Sequence, residues 1–154
     1  MLPTLSGEPE NPGACQVDFY LLGEAAPGAG KLACRLALMA WERSQTVVVI
    51  TASKTSAEQL GELMWHYPGK RFLPHAQAGG QDSGKAPVLI GELSDLKPAD
   101  VVINLCPEAV PKPEVFKRVL EIVPYAEEER QASRLKYKTY RKQGLKPRTH
   151  EINK

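Results

Sequence analysis

The fold is decided by residues 17–50, VDFYLLGEAAPGAGKLACRLALMAWERSQTVVVI, in which two apolar segments flank a loop and a helical pattern. Val17–Leu22 is a short apolar and aromatic run that predicts a buried strand. Lys31–Arg43 carries apolar residues at the spacing of an amphipathic helix. The β-branched run Thr46–Ile50 is typical of a central parallel strand that is covered on both faces. This order of strand, helix and strand predicts a parallel α/β unit.

The rest of the chain continues the alternation. Val88–Ile90 and Val101–Leu105 are predicted strands, and two helices are predicted, one from a cap at Ser56 to Trp65 and one over Ala126–Gln143. Lys117–Val123 fits either state, because the helical spacing of its apolar residues competes with its β-branched content and the proline that follows. We therefore predict an α/β fold: a single Rossmann-like domain with a mostly parallel sheet and helices on both faces.

Composition divides the chain into three parts. Residues 1–16 are rich in Pro, Gly and Glu and show no periodicity, which predicts a flexible N-terminal arm. Residues 17–145 form the predicted α/β domain. Residues 146–154 are predicted to be a basic C-terminal tail.

The overall composition excludes several classes of protein. The chain has 154 residues, a mass suited to one domain, and 42% hydrophobic residues, but no apolar run approaches the roughly 18 residues of a membrane span. Its first residues lack the basic start and apolar stretch of a secretory signal. Three widely spaced cysteines fit neither a disulfide framework nor a zinc site. We expect a cytoplasmic protein without a bound metal.

Charge is distributed unevenly along the chain. The formal net charge is +2, yet residues 130–154 carry +8 and the remaining residues carry −6. A basic end on an acidic body indicates an anionic partner, which can be a nucleic acid, an anionic membrane or an acidic peptide.

A phosphate-binding loop is the first candidate site. Residues 25–32 nearly match the pattern GxxxxGK[ST] and lie between a predicted strand and a predicted helix. The first glycine of the pattern is Ala25, however, and Leu32 replaces the hydroxyl residue that would bind Mg²⁺. The segment is therefore better interpreted as a Gly-rich turn, and no cofactor is expected.

Catalytic patterns are weak. His66, His75 and His150 have no nucleophile signature near them in the sequence. Cys106 follows a predicted strand, where α/β enzymes place chemistry, but nothing around it in sequence would lower its pKa. We expect a buried, inert thiol and no catalytic site.

The basic stripe of the last helix is the clearest candidate. Its members recur on one helix face: Arg130, Arg134, Tyr137, Lys138 and Arg141. Cations beside aromatic rings can hold a carboxylate or phosphate next to an apolar group. The residues alone leave three interpretations open: a solvated basic face, a site for nucleic-acid phosphates, and a site for an acidic peptide.

A second candidate surface is the segment from Trp65 to His75, which has aromatic and apolar residues in a predicted connection. Exposed aromatic side chains of this kind mark protein interfaces. The same residues can instead complete the core, and the sequence does not decide between the two interpretations.

These motifs together resemble the chi subunit of bacterial DNA polymerase III. The resemblance runs in order from about residue 17 to residue 145. It rests on four segments: DFYLL (18–22), LMW (63–65) with FLPH (72–75), VPY (123–125), and RxxYKxYR (134–141).

The resemblance implies a function. Chi is an accessory subunit of the clamp-loader complex without catalytic activity, and its fold is similar to nucleotide-binding domains but does not bind nucleotide. One face of chi binds the psi subunit, and that face can also take a helicase. Another face binds the acidic C-terminal tail of single-stranded-DNA-binding protein, which ends in Pro-Phe, so chi meets DNA only indirectly. The alternatives are a degenerate P-loop enzyme and a protein that binds nucleic acid directly.

The resemblance also implies positions for both sites. The tail site is expected at residues of the last helix and the strand before it: Val123, Arg130, Arg134, Tyr137, Lys138 and, as the next residue of the stripe, Arg141. The psi or helicase interface is expected at residues of the aromatic segment: Trp65, Phe72, Leu73 and Pro74. Neither the arm nor the basic tail is covered by the family pattern.

Overall fold

The computed structural model describes residues 15–26, 28–67, 73–80, 84 and 86–153. Seven strands form its sheet: β1 (Gln16–Leu22), β2 (Val47–Thr51), β3 (His75–Gln77), β4 (Val88–Glu92), β5 (Val101–Asn104), β6 (Arg118–Val123) and β7 (Arg148–Ile152). Three α-helices accompany them: α1 (Ala29–Glu42), α2 (Lys54–His66) and α3 (Glu127–Lys142). Two short 3-10 helices cover Leu93–Asp95 and Pro113–Val115.

The strands form one parallel sheet in the order β3-β4-β2-β5-β6-β1-β7. The edges are therefore β3 at one side and β7 at the other. The predicted α/β class with a parallel sheet is confirmed.

Each face of the sheet carries its own apolar core. Val47 and Val49 of β2 pack with α1 and α2, whereas Val48 and Ile50 pack on the opposite face with Tyr140 of α3. This division follows from the alternation of side chains along a strand. Helices on both faces, as predicted, make the strands apolar throughout, which explains the continuous run of β2.

The ambiguous segment before α3 is a strand. All six residues of β6 are buried, and β6 pairs with β1 on one side and β5 on the other. A strand that pairs on both sides favours β-branched side chains, so pairing in the sheet outweighs the helical spacing of the apolar residues in this segment.

The segment predicted as a basic tail includes a strand of the sheet. Arg148–Ile152 form β7, which pairs in parallel with β1, so these residues are not an appendage. The sequence of β7 lacks the apolar pattern of a strand, because Arg148 and His150 contact the buried carboxylate of Asp18 rather than apolar groups. Residues 1–14 of the predicted arm lie outside the described residues.

Two local predictions are also corrected. The side chain of Ser53, not that of Ser56, caps α2 by accepting a hydrogen bond from the Ser56 backbone N–H. Ala76 and Gln77, which the sequence predicts to begin a Gly-rich loop over Ala76–Ala86, instead form the short edge strand β3 with His75, beside β4.

Candidate functional site

A groove opens between α3 and the edge of the sheet formed by β1 and β7. Its volume is about 350 Å³. Its lining comes from all three elements: Phe19, Leu21, Ser133, Arg134, Tyr137, Lys138 and Thr149.

The floor of the groove is apolar because alternate residues of β1 point toward α3. Phe19 and Leu21 lie on that face, and Thr149 of β7 is in register beside Phe19. The Phe19 ring lies 5.7 Å from the ring of Tyr137 between centroids, in a tilted contact. An aromatic floor and wall of this kind can pack against a further ring or a branched apolar side chain.

The rim of the groove is cationic. Arg134 and Lys138 are one helical turn apart on α3, and both are exposed. Arg134 contacts Glu127 at 3.4 Å, but both side chains are 65% exposed, and such pairs contribute little. Among the described residues Lys138 has no carboxylate partner. Both charges therefore remain available to an anion at the groove.

Three predicted tail-site residues do not line the groove. Val123 is buried at the end of β6. Arg130 donates to the carbonyls of Leu22 and Tyr125, each at 3.2 Å, and lies over the Tyr125 ring. Arg141 is exposed one turn beyond the groove. The structure thus brings Arg134, Tyr137 and Lys138 together and places the other three around them.

Four groove residues escaped the sequence analysis. Phe19 and Leu21 could have been found from the alternation in the first strand, and Ser133 from its position one helical turn before Tyr137. Thr149 had no signal, because its strand was predicted to be a tail.

The aromatic segment also contributes to the surface, at the opposite edge of the sheet. Trp65 is 60% exposed and packs edge-on against His75 of β3, with 5.1 Å between ring centroids. Pro74 is half-buried, whereas Leu73 is fully buried and belongs to the core. Phe72 lies outside the described residues.

A second, larger groove of about 550 Å³ runs between α2 and β3 beside this tryptophan. Its walls include the carboxylates Glu58 and Glu62 together with Trp65 and His75. The surface near the predicted psi interface is therefore aromatic and acidic, in contrast to the cationic groove at α3.

The glycine-rich turn has a packing role. A Cβ at Gly30 would lie 3.1 Å from Leu63 Cδ2, so the glycine allows α1 to approach α2 closely. Lys31 lies 5.7 Å from the centroid of the Tyr67 ring, and Arg35 donates to the hydroxyl of Tyr67. These contacts turn the cations of the motif toward the end of α2.

The buried groups beneath α3 are satisfied by one another. Glu121 accepts hydrogen bonds from Lys136 at 2.8 Å, Asn104 at 2.9 Å and Tyr140 at 2.6 Å.

Burial raises the pKa of the Cys106 thiol to about 11, and the Glu108 side chain adds to this shift. A thiol in this state is a poor nucleophile, in agreement with the inert cysteine predicted from the sequence.

Two features are absent from the described part of the chain. No three His, Cys, Asp or Glu side chains there are grouped so that they could hold a metal ion. None of the helices described is long and apolar enough to cross a bilayer.

A family model described as "DNA polymerase III chi subunit, HolC" matches residues 15–148. The chain belongs to the DNA polymerase III chi-subunit family. The matched range includes strands β1 to β6 and only the first residue of β7, and it covers every residue of the groove but Thr149. Family membership assigns the chain to DNA polymerase III and to DNA replication.

Two curated relatives named DNA polymerase III subunit chi agree with this assignment. The protein of Pseudomonas aeruginosa is 35% identical over 140 residues, which cover 89% of this chain and 96% of the relative. The protein of Escherichia coli K12 is 30% identical over 134 residues, which cover 82% of this chain and 91% of the relative.

Among solved structures, this chi-family chain is similar in fold to a chain from the structure of a Saccharomyces cerevisiae Dbp5 variant bound to Nup159, Gle1, IP6 and ADP. The TM-score is 0.58, and the match covers 89% of this chain and 42% of the other. At 11% sequence identity the likeness shows the fold alone.

Proposed function

We propose that this chi-family chain is a non-catalytic adaptor of the clamp-loader complex. In this proposal the groove at α3 binds the acidic C-terminal tail of single-stranded-DNA-binding protein, and the surface around Trp65 binds the psi subunit. The observation that carries the proposal is an aromatic groove with Arg134 and Lys138 at its rim.

The chemistry of the groove suits the end of a tail that finishes in Pro-Phe. A terminal phenylalanine has a ring and a free carboxylate on the same residue. Phe19 and Tyr137 offer ring contacts at the base, and two cations lie within one helical turn above them. Arginine and lysine form their strongest hydrogen bonds to carboxylates, so the two features select the chain end rather than an internal phenylalanine.

The peripheral cations suit the acidic residues upstream. Arg141 is exposed one turn from Lys138, and Arg130 keeps its charge at the start of α3 although its donors contact carbonyl groups. These charges attract the tail through solvent. Because exposed charges are screened by salt and the contact is small, binding should be weak and salt-sensitive.

A non-catalytic role is supported by the remaining candidate sites. Lys31 is directed toward the Tyr67 ring, and the thiol of Cys106 is protonated at neutral pH. Titration calorimetry with Mg-ATP tests the enzyme alternative: heat of binding that is lost in Lys31→Ala would contradict the adaptor proposal.

Fluorescence anisotropy tests the tail site. A labelled peptide ending in Asp-Asp-Ile-Pro-Phe is titrated with wild-type protein, Arg134→Ala and Lys54→Ala. The last is the control, because it removes an equal charge from α2 on the opposite face of the sheet. We expect Arg134→Ala to abolish binding and Lys54→Ala to retain it. Equal affinity in all three proteins would refute the site.

The psi interface is tested by a pull-down with psi. Trp65→Ala is expected to lose psi and to bind the tail peptide as the wild type does, because Trp65 lies beside β3 and the groove lies beside β7. Retention of psi by Trp65→Ala would contradict this placement.

A further inference from the structure

A buried carboxylate fastens the outer wall of the groove. Asp18 of β1 is fully buried, and its Oδ2 accepts a hydrogen bond from Arg118 of β6 at 2.8 Å. Its Oδ1 accepts from Arg148 Nε at 3.1 Å and lies 2.9 Å from His150 Nε2, both on β7. One side chain thereby joins three neighbouring strands; we call Asp18, Arg148 and His150 the clasp.

The clasp brackets the one residue of β7 that lines the groove. Arg148, Thr149 and His150 are consecutive, so the first and third point to one face of the sheet and the second to the other. The register places Asp18 beside Arg148 and Phe19 beside Thr149. Thr149 therefore faces the groove while its two neighbours face Asp18 on the other side of the sheet.

Little else in the described structure holds these side chains. β7 is the edge strand, and its only strand partner is β1. The His150 ring also stacks on Tyr20, with 5.0 Å between centroids. A strand paired on one side only has fewer contacts than a central strand, so the clasp adds to the ladder with β1 and to the buried Ile152 in holding the wall.

We propose that Asp18 is a positioning residue for peptide binding: through Arg148 and His150 it holds Thr149 in the wall of the groove, and protonation of His150 tightens that hold and the binding of the peptide. The inference rests on the tail-binding function proposed above and adds a pH dependence to the same site.

Imidazole is the side-chain type whose charge changes near neutral pH, and His150 places one against Asp18. Burial by itself would raise the pKa of Asp18, but hydrogen bonds from Arg118 and His150 outweigh burial and keep the pKa below its usual value. Burial raises the pKa of Cys15 to about 12, and it moves the pKa of Tyr20 further above neutrality.

The two remaining charged partners of Asp18 are the guanidinium groups of Arg118 and Arg148, and arginine is the side-chain type that keeps its charge throughout the pH range of proteins. The direction in which pH changes peptide binding follows from these charges. A protonated imidazole adds an ion pair to the hydrogen bond with the carboxylate, so the wall is better ordered and the peptide binds more tightly on the acidic side of neutrality.

The test measures peptide affinity at about pH 6 and about pH 8 by anisotropy, with wild type, His150→Gln and His75→Gln. The last is the matched control, since its imidazole lies on β3 at the opposite edge. We expect the wild type and His75→Gln to bind roughly threefold to tenfold more tightly at the lower pH. His150→Gln should show no such change and should bind as the wild type does at the higher pH.

A salt series separates the clasp from simple attraction. A protonated imidazole could draw an acidic peptide through solvent, but at 0.3 M salt such long-range attraction is largely screened. The ratio of the wild-type peptide affinities at the two pH values should persist at that salt concentration. Three results would each overturn the inference. The ratio of wild-type affinities at the two pH values is lost at 0.3 M salt, His150→Gln keeps the pH profile of the wild type, or the wild-type affinity does not vary with pH.

Two variants of Arg148 test the inference while the buried ion pair between Arg118 and Asp18 stays in place. Arg148→Lys keeps a cation for the carboxylate and should bind nearly as the wild type does, whereas Arg148→Gln should bind several-fold more weakly. Equal affinity in the two variants would overturn the positioning role. If the wild type binds the peptide at neither pH, the proposed function fails instead, so the two failures are distinguishable.

Discussion

Loss of the buried cation in α3 should destabilise the protein strongly. Lys136 is 6% exposed, and its Nζ donates to Glu121 Oε1 at 2.8 Å. In Lys136→Met the Glu121 carboxylate stays fully buried with only two neutral donors, Asn104 and Tyr140. Removal of one partner of a buried ion pair costs about 3–5 kcal/mol.

That cost is large against a total stability of roughly 5–15 kcal/mol. For a chain of this size it corresponds to a fall in Tm of about 6–20 °C. Thermal and urea denaturation followed by circular dichroism measure the loss. The control is Lys138→Met, two residues along the same helix but exposed, which should change stability by no more than about 0.5 kcal/mol.

A double replacement tests the physical reason for the loss. Combining Lys136→Met with Glu121→Gln removes the stranded charge and leaves an amide that can still accept from Tyr140. We expect most of the lost stability to return, which a double-mutant cycle expresses as a coupling energy. If Lys136→Met is as stable as Lys138→Met, or if the double variant is no better than the single, the buried ion pair does not hold α3 and the reasoning is wrong.

Three further outcomes are expected in denaturation measurements. Because the pKa of Asp18 is lower in the folded chain, its stabilisation is complete above the unfolded value of about 3.9 and is lost as pH falls through the folded value; Asp18→Asn should lack this part of the acid destabilisation. Tyr140→Phe removes the hydroxyl that accepts from the Val110 N–H, at a cost of about 1–3 kcal/mol in urea unfolding, and an unchanged midpoint would contradict it. Ser53→Ala deletes the cap of α2 and should lower the unfolding free energy by about 0.5–2 kcal/mol, whereas Ser56→Ala should cost less.

The parts of the fold that could be predicted are those with a local signal. The β-branched run of β2 and the apolar first strand predict buried parallel strands, and the structure confirms both. The cationic side of the groove is local too, because Arg134, Tyr137 and Lys138 meet through helical spacing alone. Their position on one helix face needs no knowledge of the rest of the chain.

The other parts depend on contacts between distant segments. β7 contains residues whose partner, Asp18, lies 130 positions away for Arg148 and 132 for His150, so the polar pattern of the strand has no local explanation. In the sequence, Lys136 only adds to the positive charge of residues 130–154, and its role becomes visible when Glu121 is placed beneath it. Without β7 in place, the outer wall of the groove, which Thr149 forms, could not be placed from the sequence.

The central claim is that the end of an acidic protein tail lies in the groove between α3 and the β1–β7 edge. Photo-crosslinking tests it most directly: a tail peptide with a benzoylphenylalanine in place of its last phenylalanine is irradiated on the protein, and the attachment is mapped by mass spectrometry. Attachment at Phe19, Leu21 or Tyr137 is the predicted result. Attachment confined to α2 or β3 at the other edge of the sheet would contradict the claim.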